Sequence, residues 1–304
     1  MRALTIAFSV AFGVLTLGIP AIAQAQAPKT FDSADAAAQA LIDATEKDDV
    51  AALSALFGAR GKAVLTSGDA AQDKKERAEF ARLARDKHQL EPDPLNSAVT
   101  ILAIGSEDWP FPIPIAHSQD KWYFDASQGA VEMRARRVGA NELDTIEICA
   151  GYVAAQLEYA ARIRDKHGML EYAQRISGAQ GQLDSLYWGG SAAPLVPKAF
   201  ADAAVETGSG AAGKAKPYHG YYFRVLRAQG PNAEGGRHNY MAKDSMIGGF
   251  GLVAWPAHYG ISGVHTFIVN QNGVIYEKDL GNPATSLSTT VASYDPDKSW
   301  TRVQ

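Results

Sequence analysis

The longest regular pattern of apolar positions lies in the middle of the chain and predicts an amphipathic helix. Asn141 and Asp144 have the form of an N-terminal cap with an acidic third position, so we expect the helix to run from residue 141 to 164. Two apolar stripes then recur at steps of three and four: Leu143, Ile146, Ala150, Val153, Leu157 and Ala160, with Ile148, Tyr152, Ala155 and Tyr159 beside them. So wide an apolar face indicates a helix covered on more than one side, the spine of a domain.

After Pro217 the pattern changes to the alternation of β-strands, and four strands are predicted: 220–228, 250–255, 264–270 and 274–279. Between the last two, Asn272-Gly273 favours a two-residue type I′ turn, because both of its central positions need positive φ. That register puts four residues on the face toward the helix: Phe267, Val269, Val274 and Tyr276. We therefore expect a structural hairpin that closes an antiparallel sheet of about four strands, with Glu277 and Asp279 at solvated or rim positions.

The chain before the long helix predicts a small α+β unit over residues 31–138. Helical patterns cover 31–56, in two pieces, and 69–88, and three short strand-like runs follow at 99–104, 111–116 and 121–124. Three prolines alternate with apolar residues in "WPFPIPIAH", which restricts that segment to an edge strand or a polyproline-like form. The predicted fold class is α+β: this unit, then a helix-on-sheet domain over 139–281 with a flexible loop at 207–217, then a tail over 282–304.

The N-terminus has the pattern of a secretory signal peptide over residues 1–25. Arg2 precedes an uncharged run that ends in small residues, and Ala23 and Ala25 fit an A-x-A cleavage site. An uncleaved membrane anchor is the alternative, which the glycines and the proline within the run disfavour. We expect a periplasmic or extracellular protein whose mature chain begins at or near Gln26.

Composition restricts the partners of this mature chain. Cleavage would remove one of 29 basic residues and none of 33 acidic ones, so the chain stays acidic, which disfavours nucleic acid and anionic membranes as partners. No later run reaches transmembrane length, so no membrane span is expected after cleavage. Cys149 is the single cysteine of the sequence, which excludes an internal disulfide and predicts a free, buried thiol.

The sequence contains partial matches to cofactor-binding motifs, but the residues that surround them do not fit such a site. "GSGAAGK" at 208–214 satisfies most of a phosphate-binding loop, but Ala215 replaces the required hydroxyl residue and Pro217 prevents the helix that should follow. "GFGLVA" has a dinucleotide-like glycine spacing, yet Trp255-Pro256 follows where a helix should begin. No zinc, calcium or hydrolase signature occurs. We therefore expect no cofactor, no metal and no locally encoded catalytic group.

Aromatic and basic residues of the last third of the chain form the candidate binding site for a small ligand or peptide: Tyr218, His219, Tyr221, Arg224, Trp255, His258 and Tyr259. The alternative interpretation is an aromatic core with polar tips at its rim. If the protein is an enzyme, the least implausible group is His219, Arg224, Glu277 and Asp279. A cavity with a histidine in hydrogen-bond reach of a carboxylate would favour the enzyme, and an open sheet with a large apolar patch would favour an interaction protein.

Two family resemblances rest on these segments. The stretches "NELDTIEICAGYVAAQLEYA", "GYYFRVL" and "AWPAHYGISGVHTFIVNQNGVIYEKDLG" resemble the globular head of bacterial type IV pilin-like proteins, whose last hairpin is matched at Gly263, Phe267, Gly273, Val274 and Ile275. With "WPFPIP", "PYHGYYFR" and "MIGGF", the whole mature chain also resembles a bacterial exported family catalogued as domain of unknown function twenty-nine-fifty. From these resemblances and from the lack of a catalytic signature we expect a non-catalytic protein of the cell envelope that binds another envelope protein or a small ligand. The alternative is an extracytoplasmic enzyme with a dispersed site around His219.

Overall fold

The computed structural model describes residues 26–61, 65, 70–162, 168–190, 193–205, 215–282 and 291–303. The predicted signal peptide and the glycine-rich motif at 208–214 therefore lie outside the described residues. The chain divides into two compact units, Met1–Ala130 and Val131–Gln304. The domain limits drawn from the sequence stay predictions.

The fold is α+β, as predicted, with antiparallel sheets and one long helix. The described helices are α1 Ala34–Glu46, α2 Val50–Phe57, α3 Ala70–Asp86, α4 Ala126–Arg162 and α5 Lys198–Asp202, with a 3₁₀ turn at Gly58–Arg60. The strands of the first unit are β1 His88–Asp93, β2 Asn96–Ile104, β3 Trp109–Pro110, β4 Ile115–Ser118 and β5 Lys121–Phe124. The strands of the second are β6 Arg175–Gly178, β7 Ser185–Trp188, β8 Tyr221–Leu226, β9 Ala228–Gln229, β10 His238–Asn239, β11 Met241–Ala242, β12 Ser245–Met246, β13 Gly251–Pro256, β14 His265–Asn270, β15 Tyr276–Asp279 and β16 Thr301–Arg302. Among the described residues, no helix combines the length and the apolar character needed to cross a membrane.

The first unit packs helices against a five-stranded antiparallel sheet. Its strands follow the order β1-β2-β4-β5, and β3 pairs with β2. Side chains cap the first two helices: the Ser33 hydroxyl accepts from the Ala36 amide and the Asp49 carboxylate from the Ala52 amide. The buried core between helices and sheet consists of alanine, leucine, isoleucine and phenylalanine side chains.

The second unit contains a five-stranded antiparallel sheet in the order β16-β15-β14-β13-β8. Alternate residues of each strand point to opposite faces, and both faces carry buried clusters. On one face Phe223, Leu252 and Phe267 pack with Cys149 and Tyr152 of α4. On the other face a smaller cluster forms, which includes Leu226, Val253, Ile268, Val291 and Tyr294. Burial on both faces explains why these strands read as nearly continuous apolar runs.

The long helix begins fifteen residues before its predicted start. Asp125 caps it, because its carboxylate accepts from the amides of Ser127 and Gln128 at 3.0 and 3.1 Å. The predicted cap at Asn141 is wrong, since that residue lies inside α4. Of the two predicted apolar stripes, the one with Tyr152 and Tyr159 faces the core. The other is incorrect in part, because Leu143 and Leu157 are 66% and 51% exposed.

The last hairpin is structural, but its register differs from the predicted one. Phe267 pairs with Glu277 and Ile268 with Tyr276, which places Asn270 opposite Val274. The loop therefore has three residues and not two, and Gly273, whose amide donates to the Asn270 carbonyl at 2.9 Å, occupies the positive-φ position that ends it (φ 74°). Shifting the pairing by one residue turns Tyr276 to the face away from α4 and places Glu277, half-buried, on the same face as Phe267.

Candidate functional site

A tight turn before β8 carries the central residue of the candidate site. His219 and Gly220 both have positive φ, 47° and 75°, and Tyr218 and Tyr221 exchange two backbone hydrogen bonds of 3.0 Å around them. Positive φ at both central positions is the property of a type I′ turn. The structure thus places this turn type at His219-Gly220, where we had predicted none. Histidine is among the residues that tolerate this conformation, and glycine adopts it without cost.

Close packing holds the turn against α4 and against the loop that connects β13 to β14. A Cβ added at Gly220 would lie 2.6 Å from the Asn141 amide nitrogen and 2.8 Å from the Ser262 Cβ. The Asn141 side chain donates to the Ser262 carbonyl at 2.8 Å, and the Ser262 hydroxyl donates to the Gly220 carbonyl at 2.8 Å. Only glycine fits here, and these bonds fix the position of the neighbouring histidine.

His219 forms a short hydrogen bond with a carboxylate of α4. Its Nδ1 lies 2.5 Å from the Asp144 Oδ2, and the two side chains are 39% and 42% exposed. The ring of Tyr218 contacts the imidazole edge to face, with centroids 4.3 Å apart. When Asp144 is ionised and the imidazole is neutral, Nδ1 donates to the carboxylate, so Nε2 carries the lone pair and is available to a further partner. The pair is a positioned hydrogen-bond acceptor or base.

The His219–Asp144 pair lies at a cavity of about 340 Å³ in the second unit. One wall is the surface of α4 with Asp144, Glu147, Ile148 and Gly151 at helical spacing. Leu195, Val196, Pro197 and Phe200 form an apolar wall, and Tyr218 stands beside the histidine. Glu147 is exposed and has no hydrogen bond or ion pair with the described residues. This combination of an apolar wall and a few converging polar groups is typical of a small-molecule site.

A second carboxylate of α4, which sequence reasoning missed, anchors the start of β14. Glu142 Oε1 accepts from the amides of Val264 and His265 at 2.7 and 3.0 Å, and its Oε2 lies 3.1 Å from His265 Nδ1. The hydroxyl of Tyr221 donates to the His265 carbonyl at 3.0 Å, and burial raises the pKa of that phenol. Asn141 and Asp144 were interpreted as a helix cap, but together with Glu142 they are three side chains of α4 that bind loops.

The other predicted site residues lie in different surroundings. Tyr221 is buried under α4, whereas Arg224 and Trp255 lie on the opposite face of the sheet, where the guanidinium carbon is 5.8 Å from the indole centroid. Arg224 is 7% exposed and donates to the Val291 carbonyl at 2.6 Å. Burial lowers its pKa. The predicted group of seven is therefore divided between two faces.

The loop between β13 and β14 holds the remaining two candidates, His258 and Tyr259. His258 is exposed, and its amide donates to the Ser262 hydroxyl at 3.0 Å. The Tyr259 hydroxyl donates to Asp279 at 3.0 Å, which raises the pKa of the phenol. The alternative catalytic group is not assembled either: Asp279 binds Tyr259, Glu277 faces the α4 side of the sheet, and Arg224 faces the other side.

The chemistry available at the cavity is limited by its lining. The described residues that form it include no serine, threonine, cysteine or lysine, so its possible nucleophiles are restricted to Asp144, Glu147, His219 and the tyrosines. Cys149 is fully buried nearby in the core, and burial raises its pKa to about 12, which keeps it an inert thiol. Among the residues that the structure describes, no cluster of histidine, cysteine and carboxylate side chains could hold a metal ion.

Comparison with known proteins identifies the family of the chain. A family model described as a protein of unknown function, DUF2950, matches residues 28–303. The chain belongs to the DUF2950 family. The match covers almost the whole chain that we expect after signal cleavage, both units included, and it confirms the predicted family. No curated protein matches this DUF2950 member, and no solved structure matches it either. The resemblance to pilin heads stays a prediction.

Proposed function

We propose that this DUF2950 protein is an exported, non-catalytic binding protein that holds a small ligand in the cavity beside His219. The observation that carries the proposal is the cavity of about 340 Å³, in which an apolar wall faces a histidine already positioned by Asp144. Positioning before binding reduces the entropy lost when a ligand is held, because the polar group does not have to be ordered at that moment. A type I′ turn and close packing at Gly220 supply this order.

A pocket supports binding better than an open sheet face does. Both faces of the five-stranded sheet carry buried clusters in the described part of the chain. An interaction protein that used the sheet surface would instead expose a contiguous apolar patch. Polar and apolar groups converge at the cavity instead.

Export is part of the proposal and rests on the pattern of residues 1–25. The charged start, the uncharged run and the A-x-A site are followed by an acidic chain. We expect the protein purified from its native cells to begin at or near Gln26 and to occur in the periplasm or the medium. N-terminal sequencing tests this, and an intact Met1 would contradict it.

An enzyme is the second candidate function, and one observation favours it: the 2.5 Å contact of His219 Nδ1 with Asp144. In that arrangement Nε2 could act as a general base toward a water molecule at the cavity. We rank it second because the described lining has no serine, threonine, cysteine or lysine for this base to activate. A ligand that is recovered chemically unchanged after incubation supports binding, and a ligand that is turned over at a rate lost in His219→Gln supports the enzyme.

Two glycines of α4 provide a matched test of the binding site. A Cβ at Gly151 or at Gly139 would meet nothing within 4 Å, but only Gly151 lines the cavity. Replacing either by leucine should stabilise the helix by about 0.8 kcal/mol, since glycine is a poor helix former. Only Gly151→Leu should fill the cavity.

The probe for this test is 3-phenylpropanol, a neutral molecule with an aromatic body and a hydrogen-bonding head. At millimolar concentration we expect it to shift the NMR signals of the His219 ring in the wild type and in Gly139→Leu, and not in Gly151→Leu. Equal shifts in both variants would place binding elsewhere. Thermal denaturation of both variants verifies that neither has lost its fold.

A further inference from the structure

We infer that the ligand of the cavity is an organic cation, an amine attached to an apolar body. This inference rests on the proposed function and adds the chemical class of the ligand. The cavity separates two kinds of surface: carboxylates on α4 and an apolar wall formed by Leu195, Val196 and Phe200. A ligand that satisfies both must carry a positive head and an apolar body.

The charges at the cavity favour a cation. Glu147 is a carboxylate without a partner among the described residues, and Asp144 is shared with His219. No lysine or arginine is among the described residues of the lining. Even with His219 protonated, the imidazolium balances only Asp144, so the lining keeps a net negative charge from Glu147. An anionic ligand would therefore approach a like charge, which disfavours it.

The two carboxylates lie on the same surface of the helix. Asp144 and Glu147 are three residues apart, the spacing that places side chains next to each other on a helix. An ammonium group near them would donate hydrogen bonds to Glu147 and to the free lone pair of the His219–Asp144 pair. The aromatic ring of Tyr218, beside the imidazole, adds a surface that attracts cations.

The rest of the cavity fits an apolar body. Phe200 packs edge to face on Phe223 of the core with centroids 4.8 Å apart, so this wall is held rigidly. The Tyr152 hydroxyl at the cavity floor already donates to the Gly251 carbonyl at 3.2 Å and accepts from Gln156 at 2.8 Å. It therefore offers its ring and not its hydroxyl to a ligand, which leaves polar recognition to the end where Glu147 and His219 lie.

The test compares three probes with the same body and different heads: 3-phenylpropylamine, 3-phenylpropanol and 3-phenylpropionate. At pH 7 and low salt we expect the amine to bind about fivefold more tightly than the alcohol, as expected for one partly exposed ion pair of about 1 kcal/mol. The propionate should bind more weakly than the alcohol. Affinities are measured by NMR titration of the His219 ring signals, and raising the salt concentration should reduce the advantage of the amine.

Two variants, each of which removes one negative charge from α4, test whether Glu147 causes the preference for the amine. Glu147→Gln should remove the preference for the amine over the alcohol. Glu158→Gln is the matched control, because it removes the same charge from the same helix at a residue that binds Arg162 and does not line the cavity. The control should keep the preference.

The outcomes separate the two proposals. If the propionate binds as tightly as the amine, or if Glu147→Gln leaves the preference unchanged, the assignment of a cation is overturned while the binding function stands. If none of the three probes binds in a manner that Gly151→Leu abolishes, the binding function itself fails, and the cation assignment fails with it.

Discussion

The cores of the two units differ in the types of side chain that form them. The core of the first unit is made of alanine, leucine, isoleucine and phenylalanine side chains, which need only to be packed. The main core of the second unit includes the buried or nearly buried tyrosines Tyr152, Tyr159, Tyr221 and Tyr240, and Gln156 beside them. A buried hydroxyl without a hydrogen bond is costly, so each of these rings also fixes where its partner must lie.

The hydrogen-bond partners of these tyrosines show the consequence of this difference. The Tyr152 hydroxyl donates to the Gly251 carbonyl, that of Tyr221 to the His265 carbonyl and that of Tyr240 to the Gln229 side chain. Two of these three hydrogen bonds connect a tyrosine side chain to the backbone at the end of a strand. The second unit is therefore specified by directional bonds as well as by packing, and the candidate site lies in this unit. Each of the following predictions compares the second unit with the first.

The largest effect is expected where packing alone matters in both units. Phe124 of the first unit and Phe267 of the second are 1% and 0% exposed. Truncation of either to alanine should cost about 3–5 kcal/mol of unfolding free energy, from lost transfer and from the cavity. Urea denaturation followed by circular dichroism measures this cost. A loss below 1 kcal/mol at Phe267 would show that the last hairpin is not part of the core.

The second prediction compares the cost of removing a buried hydrogen-bonding side chain from each core. The Gln156 amide donates to the Tyr152 hydroxyl and to the Ala173 carbonyl, and it accepts from the Ala173 amide. Gln156→Leu leaves the buried amide and carbonyl of Ala173 unpaired and should cost about 2–3 kcal/mol. The Thr45 hydroxyl of the first unit bonds only carbonyls of its own helix, so Thr45→Val should cost less than about 1 kcal/mol. Equal costs in urea denaturation would remove the distinction between the cores.

Two glycines with positive φ give the third prediction. Gly105 in the first unit (φ 72°) would place a Cβ 3.2 Å from the flexible Leu83 side chain, whereas Gly220 (φ 75°) would place one 2.8 Å from Ser262. Both alanine variants should lose about 1–2 kcal/mol to backbone strain. Gly220→Ala should lose more and should also displace His219, which removes the binding of 3-phenylpropylamine. Retained binding in that variant would contradict the role assigned to the turn.

The smallest effect concerns pH. Burial raises the pKa of Cys149 from 9.0 to about 12, so the unfolded chain releases this proton first as pH rises. Stability from this group is complete well below pH 9 and decreases as the pH rises through 9 toward about 12. At pH 9 the loss is about 0.4 kcal/mol. The first unit has no cysteine, and Cys149→Ala should remove this part of the pH dependence. Identical pH profiles of stability for the two proteins would contradict the assignment.

The fold class was predictable because it depends on local periodicity. The helix that carries Tyr152 and Tyr159 and the strands of the last hairpin follow directly from apolar spacing. The start of α4 was not predictable, because Asn141 and Asp144 satisfy a capping pattern that competes with the real cap at Asp125. The register of the hairpin was missed because Asn272-Gly273 fits both a two-residue and a three-residue loop.

The candidate site was predictable only in part. His219 stood out among aromatic residues, and it lies at the cavity. Its partner Asp144 is 75 residues away in the sequence, and no local pattern connects them. Arg224 was grouped with it by proximity in sequence, but alternation along β8 turns the side chains of Phe223 and Arg224 to opposite faces.

The sequence by itself determined the family, the α+β class and the elements with a strong apolar period, because these depend on periodicity and composition that a short window contains. Only the tertiary structure decided which side chains meet. Asn141, Glu142 and Asp144 bind loops because α4 continues past them and the sheet packs beside it, so that residues far apart in the chain come within hydrogen-bond distance. Such contacts depend on the packing of whole elements, which local patterns do not encode.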